Sequence, residues 1–194
     1  MSIPFPHSIG YISNVSLTEY TPNYSTTSLS LIKRSRSRGI HRLDGSFDFT
    51  LTGENNKKAL RAFLLKTRGR GEVIELNLGC DIFDTTIFGN PQCNGAIGIG
   101  ADSFSVDGFS SEIPAGALFT LPNDTKVYTA TNSIFNNGVM DVFPHIRKSQ
   151  VDNSPLNFSN VTLSVNLTED TQTVTHSEQG IIHTMNFTFQ EALV

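Results

Sequence analysis

Five histidines, two cysteines and eighteen Asp or Glu carry most of the chemistry available to this chain of 194 residues, so their spacing is the first question. His7, His41, His145, His176 and His183 form no HExxH pair, and no short run sets one beside Cys or carboxylates as a metal site requires. Cys80 and Cys93 match neither a zinc spacing nor a disulfide framework and read as free thiols in a reducing compartment. Glu169-Asp170 and the pair Asp81 and Asp84 are the nearest thing to paired acid–base carboxylates, but both fall in turn-like sequence where acids are ordinary. Gly95-x-x-Gly98-x-Gly100 has the glycines of a phosphate loop without the following helix or the Lys-Ser/Thr. No G-x-S-x-G elbow or Cys-His pairing provides a nucleophile. These residues predict no enzyme, no metal and no cofactor.

The run Lys33-Arg34-Ser35-Arg36-Ser37-Arg38, followed by His41 and Arg42, has a different character. In a strand, alternate side chains share a face, so Arg34, Arg36 and Arg38 line one side as a cationic ladder. Such a ladder attracts acidic protein surface or phosphate, and the lack of interleaved aromatics favours protein. Charge is segmental throughout. Residues 1–70 hold eleven Lys and Arg against four acids, a net of +7, and residues 71–194 hold three against fourteen, a net of −11. A chain polarised in this way can stack head to tail, or its opposite faces can attract within one domain.

Composition fixes the class of element that must position these groups. Fourteen Phe and no Trp, many Thr, Ser, Val and Ile, and fifteen Gly predict a mostly β protein with tight turns. Residues 1–27, with Pro4, Pro6 and Pro22, read as an extended arm with one short strand. A strand from Ser28 to Arg36 and another from about His41 to Thr52 make a candidate hairpin, with Asp44-Gly45 as a turn or bulge inside the second. One short helix, from about Asn55 to Arg68, carries Leu60, Phe63, Leu64 and Thr67 on one stripe, with Thr52 or Asn55 available as its cap. The near-continuous apolar strand Gly71 to Leu78 predicts burial on both faces.

Short strands then recur at Ala96 to Ile99, Phe104 to Val106, Leu118 to Leu121, Lys126 to Thr131 and Val139 to Phe143, with Asn137-Gly138 as a hairpin signal. They fit a small barrel of the oligonucleotide/oligosaccharide-binding kind, or a small sandwich. Gln150 to Pro155 reads as a polar linker, and strict alternation resumes from Val161 to Thr168 and from Met185 to Gln190. The expected organisation is a split β-sandwich domain over 1–80 and 151–194, interrupted by a small barrel at 81–150. The opening MSIPFPHSIGYIS has no positive or apolar signal region, and no apolar run reaches the ~20 residues of a spanning helix, which predicts cytoplasmic synthesis and no membrane partner.

Two stretches go beyond composition. The segment RSRSRGIHRLDGSFDFTLTGENNKKALRAFLLKTRGRGEVIELNL is similar to the N-terminal domain of siphophage distal tail proteins, in which a basic hairpin leads to an aromatic strand, one helix, a Gly turn and a strand. The segment IPAGALFTLPNDTKVYTATNSIFNNGVMDVFPHIRKS resembles the end of that family's inserted domain. The sequence departs from relatives that carry a Trp near the hairpin, where Gly45-Ser46-Phe47 stands here, and the arm before residue 28 has no counterpart. The resemblance implies a virion protein that forms a ring, usually of six copies, at the distal end of the tail tube. Its partners would be itself, the tail tube protein, a baseplate hub or tail-tip protein and the tape-measure protein, with transient unspecific contact to DNA in the channel. Lys33, Arg34, Arg36, Arg38, His41 and Arg42 become candidate assembly contacts, and the family supplies no catalytic residues. The alternative is a carbohydrate-binding module of the tail tip, through Phe104, Phe109, Phe119 and Tyr128 in the inserted domain.

Overall fold

The computed structural model describes residues 2–79, 87–176 and 182–193. Cys80, Asp81 and Asp84 lie outside these residues. The protein is mostly β, with 48% of residues in strands, one α-helix and several sheets, one of them curled into a half-barrel. In chain order the elements are β1 (Ile3–Pro4), a 3-10 turn (His7–Ile9), β2 (Gly10–Tyr20), β3 (Asn23–Thr27), β4 (Lys33–Ser37), β5 (Arg42–Thr52), α1 (Glu54–Thr67), β6 (Ile74–Leu76), β7 (Gly89–Cys93), β8 (Ser103–Phe109), β9 (Glu112–Ile113), β10 (Leu118–Thr120), β11 (Val127–Ala130), β12 (Ile134–Phe135), β13 (Gly138–Phe143), β14 (Leu163–Leu167), β15 (Thr175–His176) and β16 (Ile182–Glu191). They divide into two compact units, the first comprising 1–18, 43–82 and 162–194 and the second 19–42 and 83–161.

The first unit is built on a seven-stranded sheet ordered β1-β6-β14-β16-β5-β2, with β15 pairing β16. Alternation decides its core: along β16 His183, Met185, Phe187, Phe189 and Glu191 are buried while the residues between them are not. Phe47 and Phe49 of β5 lie directly opposite Phe187 and Met185. Phe5 completes the cluster, with its ring 5.0–5.6 Å from those of Phe47, Phe49, Phe63 and Phe187, all edge-on. Helix α1 buries Leu60, Phe63 and Thr67, and ends at Arg68 in the left-handed region. Neither expected cap forms: Gly53 holds the cap position, and Asn56 Nδ2 donates to the Thr52 carbonyl.

Several sequence expectations change here. The arm is not irregular, because β1 pairs in parallel with β6 and the eleven-residue β2 pairs with β5. Pro4 is tolerated because β1 is an edge strand. Asp44-Gly45 is no turn: β5 runs through it, and Gly45 lies opposite Phe189. A Cβ at Gly45 would stand 2.5 Å from the Ser16 carbonyl oxygen and 2.7 Å from the Phe189 ring, so the glycine is what lets β2 cross that ring. The strand at 71–78 shortens to Ile74–Leu76 and is buried on one face only, with Glu75 outward.

The second unit holds a five-stranded sheet ordered β10-β11-β13-β8-β7, a two-stranded sheet of β12 and β9, and the β3–β4 hairpin. Its core gathers Phe104, Val106, Phe119, Tyr128, Met140 and Phe158, among others. Residues 151–161, expected in the other domain, belong to this unit. Isolated bridges tie Gln150 to Ile97, Pro155 to Gln92 and Asn157 to Thr120, and Leu156 and Phe158 are buried. Ala96 to Ile99 forms no strand beyond the Ile97 bridge, and Asn137-Gly138 closes no simple hairpin, since β12 pairs with β9 and β13 with β8.

Candidate functional site

Residues 19–42 contribute the most distinctive surface. The expected partner of the basic strand was β5, but β4 pairs with β3 instead, with Tyr24 opposite Arg36, Thr26 opposite Arg34 and Ser25 opposite Ser35. Opposed residues share a face, so the hairpin has two chemically distinct sides. One side presents Tyr24, Thr26, Arg34 and Arg36; the other presents Asn23, Ser25, Thr27, Lys33, Ser35 and Ser37. Every residue of β3 and β4 is exposed. The loop between them exposes Leu29, Leu31 and Ile32 at 107%, 85% and 59%, with Leu31 at φ 61°. Three large apolar groups in water at the tip of a cationic hairpin mark a contact surface rather than a folding element. The Arg38 guanidinium lies 5.1 Å from the Tyr24 ring centre, and that of Arg42 lies 5.2 Å from Tyr20.

His41 does not belong to that surface. It is 4% exposed, packs edge-on against Phe143 at 5.6 Å, and accepts at Nδ1 from Lys126 Nζ at 3.2 Å. An ammonium only donates, so Nδ1 is unprotonated and His41 is neutral. Burial, reinforced by the Lys126 charge and opposed by Glu19, pulls the imidazole down to about 4. The candidate assembly contacts therefore divide into exposed Lys33, Arg34, Arg36 and Arg38, half-buried Arg42, and a structural His41.

Behind His41 lies a buried polar cluster. The Asp124 side chain is fully buried, and its Oδ1 accepts from the Lys126 backbone N–H at 3.2 Å and lies 3.7 Å from Arg147 Nη1. Its Oδ2 accepts from the Tyr128 hydroxyl at 2.6 Å, and that hydroxyl accepts in turn from the Arg147 backbone N–H at 3.0 Å. Burial and the neighbouring Asp124 carboxylate both hold the Tyr128 phenol far above its ordinary range. With Lys126 only 1% exposed, the arrangement is a charge-bearing core that anchors the base of the hairpin to the five-stranded sheet. Lys126 and Asp124 were missed as a pair in the sequence. Their signal was present: Lys126, Tyr128 and Ala130 alternate, which puts Lys126 on the inward face.

The four aromatics considered for sugar stacking are all core. Phe104, Phe109, Phe119 and Tyr128 are 8%, 7%, 0% and 0% exposed, and Phe119 stacks on Tyr128 at 5.8 Å. None offers a ring face to a ligand. Cys93 is buried, which lifts its thiol to about 11 and leaves it unreactive as a nucleophile. Among the described residues no three His, Cys, Asp or Glu are grouped to hold a metal ion. Glu169 and Asp170 are separated in role, because Asp170 is engaged bidentately by Arg70 at 2.8 and 3.2 Å. Asp170 is held below the usual carboxylate range by that pair.

No protein-family model matches this chain, and no curated protein is similar to it in sequence.

Two open clefts are lined by residues of the first unit. A cleft of about 570 Å³ in the first unit is lined by Ile3, Pro4, Leu65, Arg68 and Glu72, and one of about 490 Å³ by His7, Tyr11, Ile12 and Asn77. Neither brings together a nucleophile, a base and an oxyanion donor. The chemistry of the exposed hairpin is that of recognition.

Proposed function

We propose that this chain is a structural component of a bacteriophage tail, assembling as a ring at the distal end of the tail tube and joining the tube to the baseplate or tail tip. The observation that carries the reading is the exposed β3–β4 hairpin, which presents Lys33, Arg34 and Arg36 behind an apolar tip and buries none of its own strand residues. A hairpin that gains nothing from its own core is ordered for a partner. The first unit is interrupted twice in the chain, at 19–42 and 83–161, where the resemblance implies a single insertion, and the basic hairpin falls in the second unit.

In this reading the ring surrounds a channel that passes DNA, with the tail tube protein on one side and a hub or tip protein on the other. The tape-measure protein occupies the lumen during assembly. A sugar-binding role through Phe104, Phe109, Phe119 and Tyr128 has no support, because all four rings are buried. The test is native mass measurement of the purified chain across a concentration series, combined with detection of the protein in purified virions.

A further inference from the structure

The second unit is divided in charge. Residues 19–42 carry five cations and one acid, a net of +4, while residues 83–161 carry seven acids and three cations, a net of −4. Two of those three cations are already committed to the interior, since Lys126 is buried and Arg147 faces Asp124. The acids are not. Asp102, Glu112, Asp141 and Asp152 are all exposed, and Asp107 is half-buried.

Strand register places part of this charge on one side of the five-stranded sheet. Asp141 of β13 lies opposite Ser103 of β8, Val139 opposite Ser105, and Asp107 opposite Gln92 of β7. Phe104, Val106 and Met140 point the other way, into the core. The Asp102 carboxylate turns to the same outer side, accepting from Ser103 Oγ at 3.4 Å. This face thus sets carboxylates at Asp102 and Asp141 beside an apolar group, Val139, that is 56% exposed. The hairpin is its chemical complement, with Arg34 and Arg36 on one side and Leu29, Leu31 and Ile32 at the tip.

We propose that the hairpin's partner is a second copy of this chain, and that its Arg34 and Arg36 face docks on the outer face of that copy's five-stranded sheet at Asp102, Val139 and Asp141. This inference rests on the ring reading and adds the pair of surfaces that makes the contact. The two surfaces differ from one another, so the contact is heterologous. Each copy offers one hairpin and one acidic face, and repetition closes a ring or extends a stack.

The test is charge reversal on either side and then on both, read by native mass spectrometry and by sedimentation at low and high salt. Arg34→Glu with Arg36→Glu, and separately Asp102→Lys with Asp141→Lys, should each weaken self-association by about tenfold or more. All four substitutions in one chain should restore assembly, because the complementarity is reversed but kept. All sites are exposed, so unchanged circular dichroism and melting of each variant verify folding. Asp102→Asn with Asp141→Asn gives a milder second variant, expected to weaken association and to flatten its salt dependence. If the wild-type chain assembles but the sheet-face variants assemble equally well, this contact is wrong while the ring reading stands. Loss with the hairpin variant alone, without rescue by the fourfold variant, overturns it too and assigns the hairpin to another protein or to DNA. A wild-type chain that stays monomeric overturns both.

Discussion

Lys126 Nζ donates to His41 Nδ1 at 3.2 Å in a part of the protein where both side chains are almost wholly excluded from solvent. The pair joins the chain segment that carries the hairpin to the start of β11 in the five-stranded sheet. Its stability depends on a histidine that stays neutral next to a charged amine.

That dependence has a pH signature. The His41 pKa falls from 6.5 unfolded to about 4 folded, so between these values the unfolded chain binds more protons than the folded one. Stability is therefore unaffected by His41 above pH 6.5, declines as pH falls from 6.5 to 4, and is flat again below. The loss amounts to about 3 kcal/mol. Chemical denaturation at pH 7, 5.5 and 4 should show it, and His41→Gln, which removes the titrating group, should abolish this part of the slope.

Asp124 is the hub of the cluster, and its removal strands several partners at once. Asp124→Ala leaves the Tyr128 hydroxyl without its buried acceptor and the Arg147 guanidinium without its opposite charge, and should cost about 3–5 kcal/mol. Tyr128→Phe keeps the ring but removes one donor and one acceptor, with an expected cost of about 1–3 kcal/mol. Thermal melting of the two variants should rank them in that order.

Phe5 stands between two prolines in a stretch with no periodicity, yet four phenylalanine rings surround it. Phe5→Ala should destabilise the first unit by about 3–5 kcal/mol. Deletion of residues 1–9 should cost at least as much, although the sequence there looks dispensable.

Gly45→Ala introduces a Cβ 2.5 Å from the Ser16 carbonyl oxygen. That oxygen is backbone and cannot rotate away, so β2 must shift off β5. A loss of about 1–3 kcal/mol is expected, with faster amide exchange along β2.

Elements with strong periodicity were legible in the sequence, and those held by long-range contacts were not. Phe47, Phe49 and Leu51 announce the core strand, and Leu60 with Phe63 announces the helix, because burial there follows local geometry. The arm failed because the partners of Ile3 and Phe5 are β6 and the aromatic cluster, about seventy and more than forty residues away. Gln150 to Pro155 looked like a linker because its residues are polar. Its ties are backbone bridges, which side-chain pattern does not report. The basic strand is legible as a surface but its partner is not, since Ser28 to Ile32 reads as strand and forms the loop between β3 and β4. His41 carried no local sign of burial, because its environment comes from Lys126 and Phe143.

Native mass spectrometry with negative-stain electron microscopy on the purified wild-type chain decides whether it forms a ring. The proposed assembly should appear as a closed ring of defined copy number that dissociates as salt is raised, with the same protein at the tail tip of virions. A chain that remains monomeric at high concentration and low salt, and is absent from virions, would contradict it.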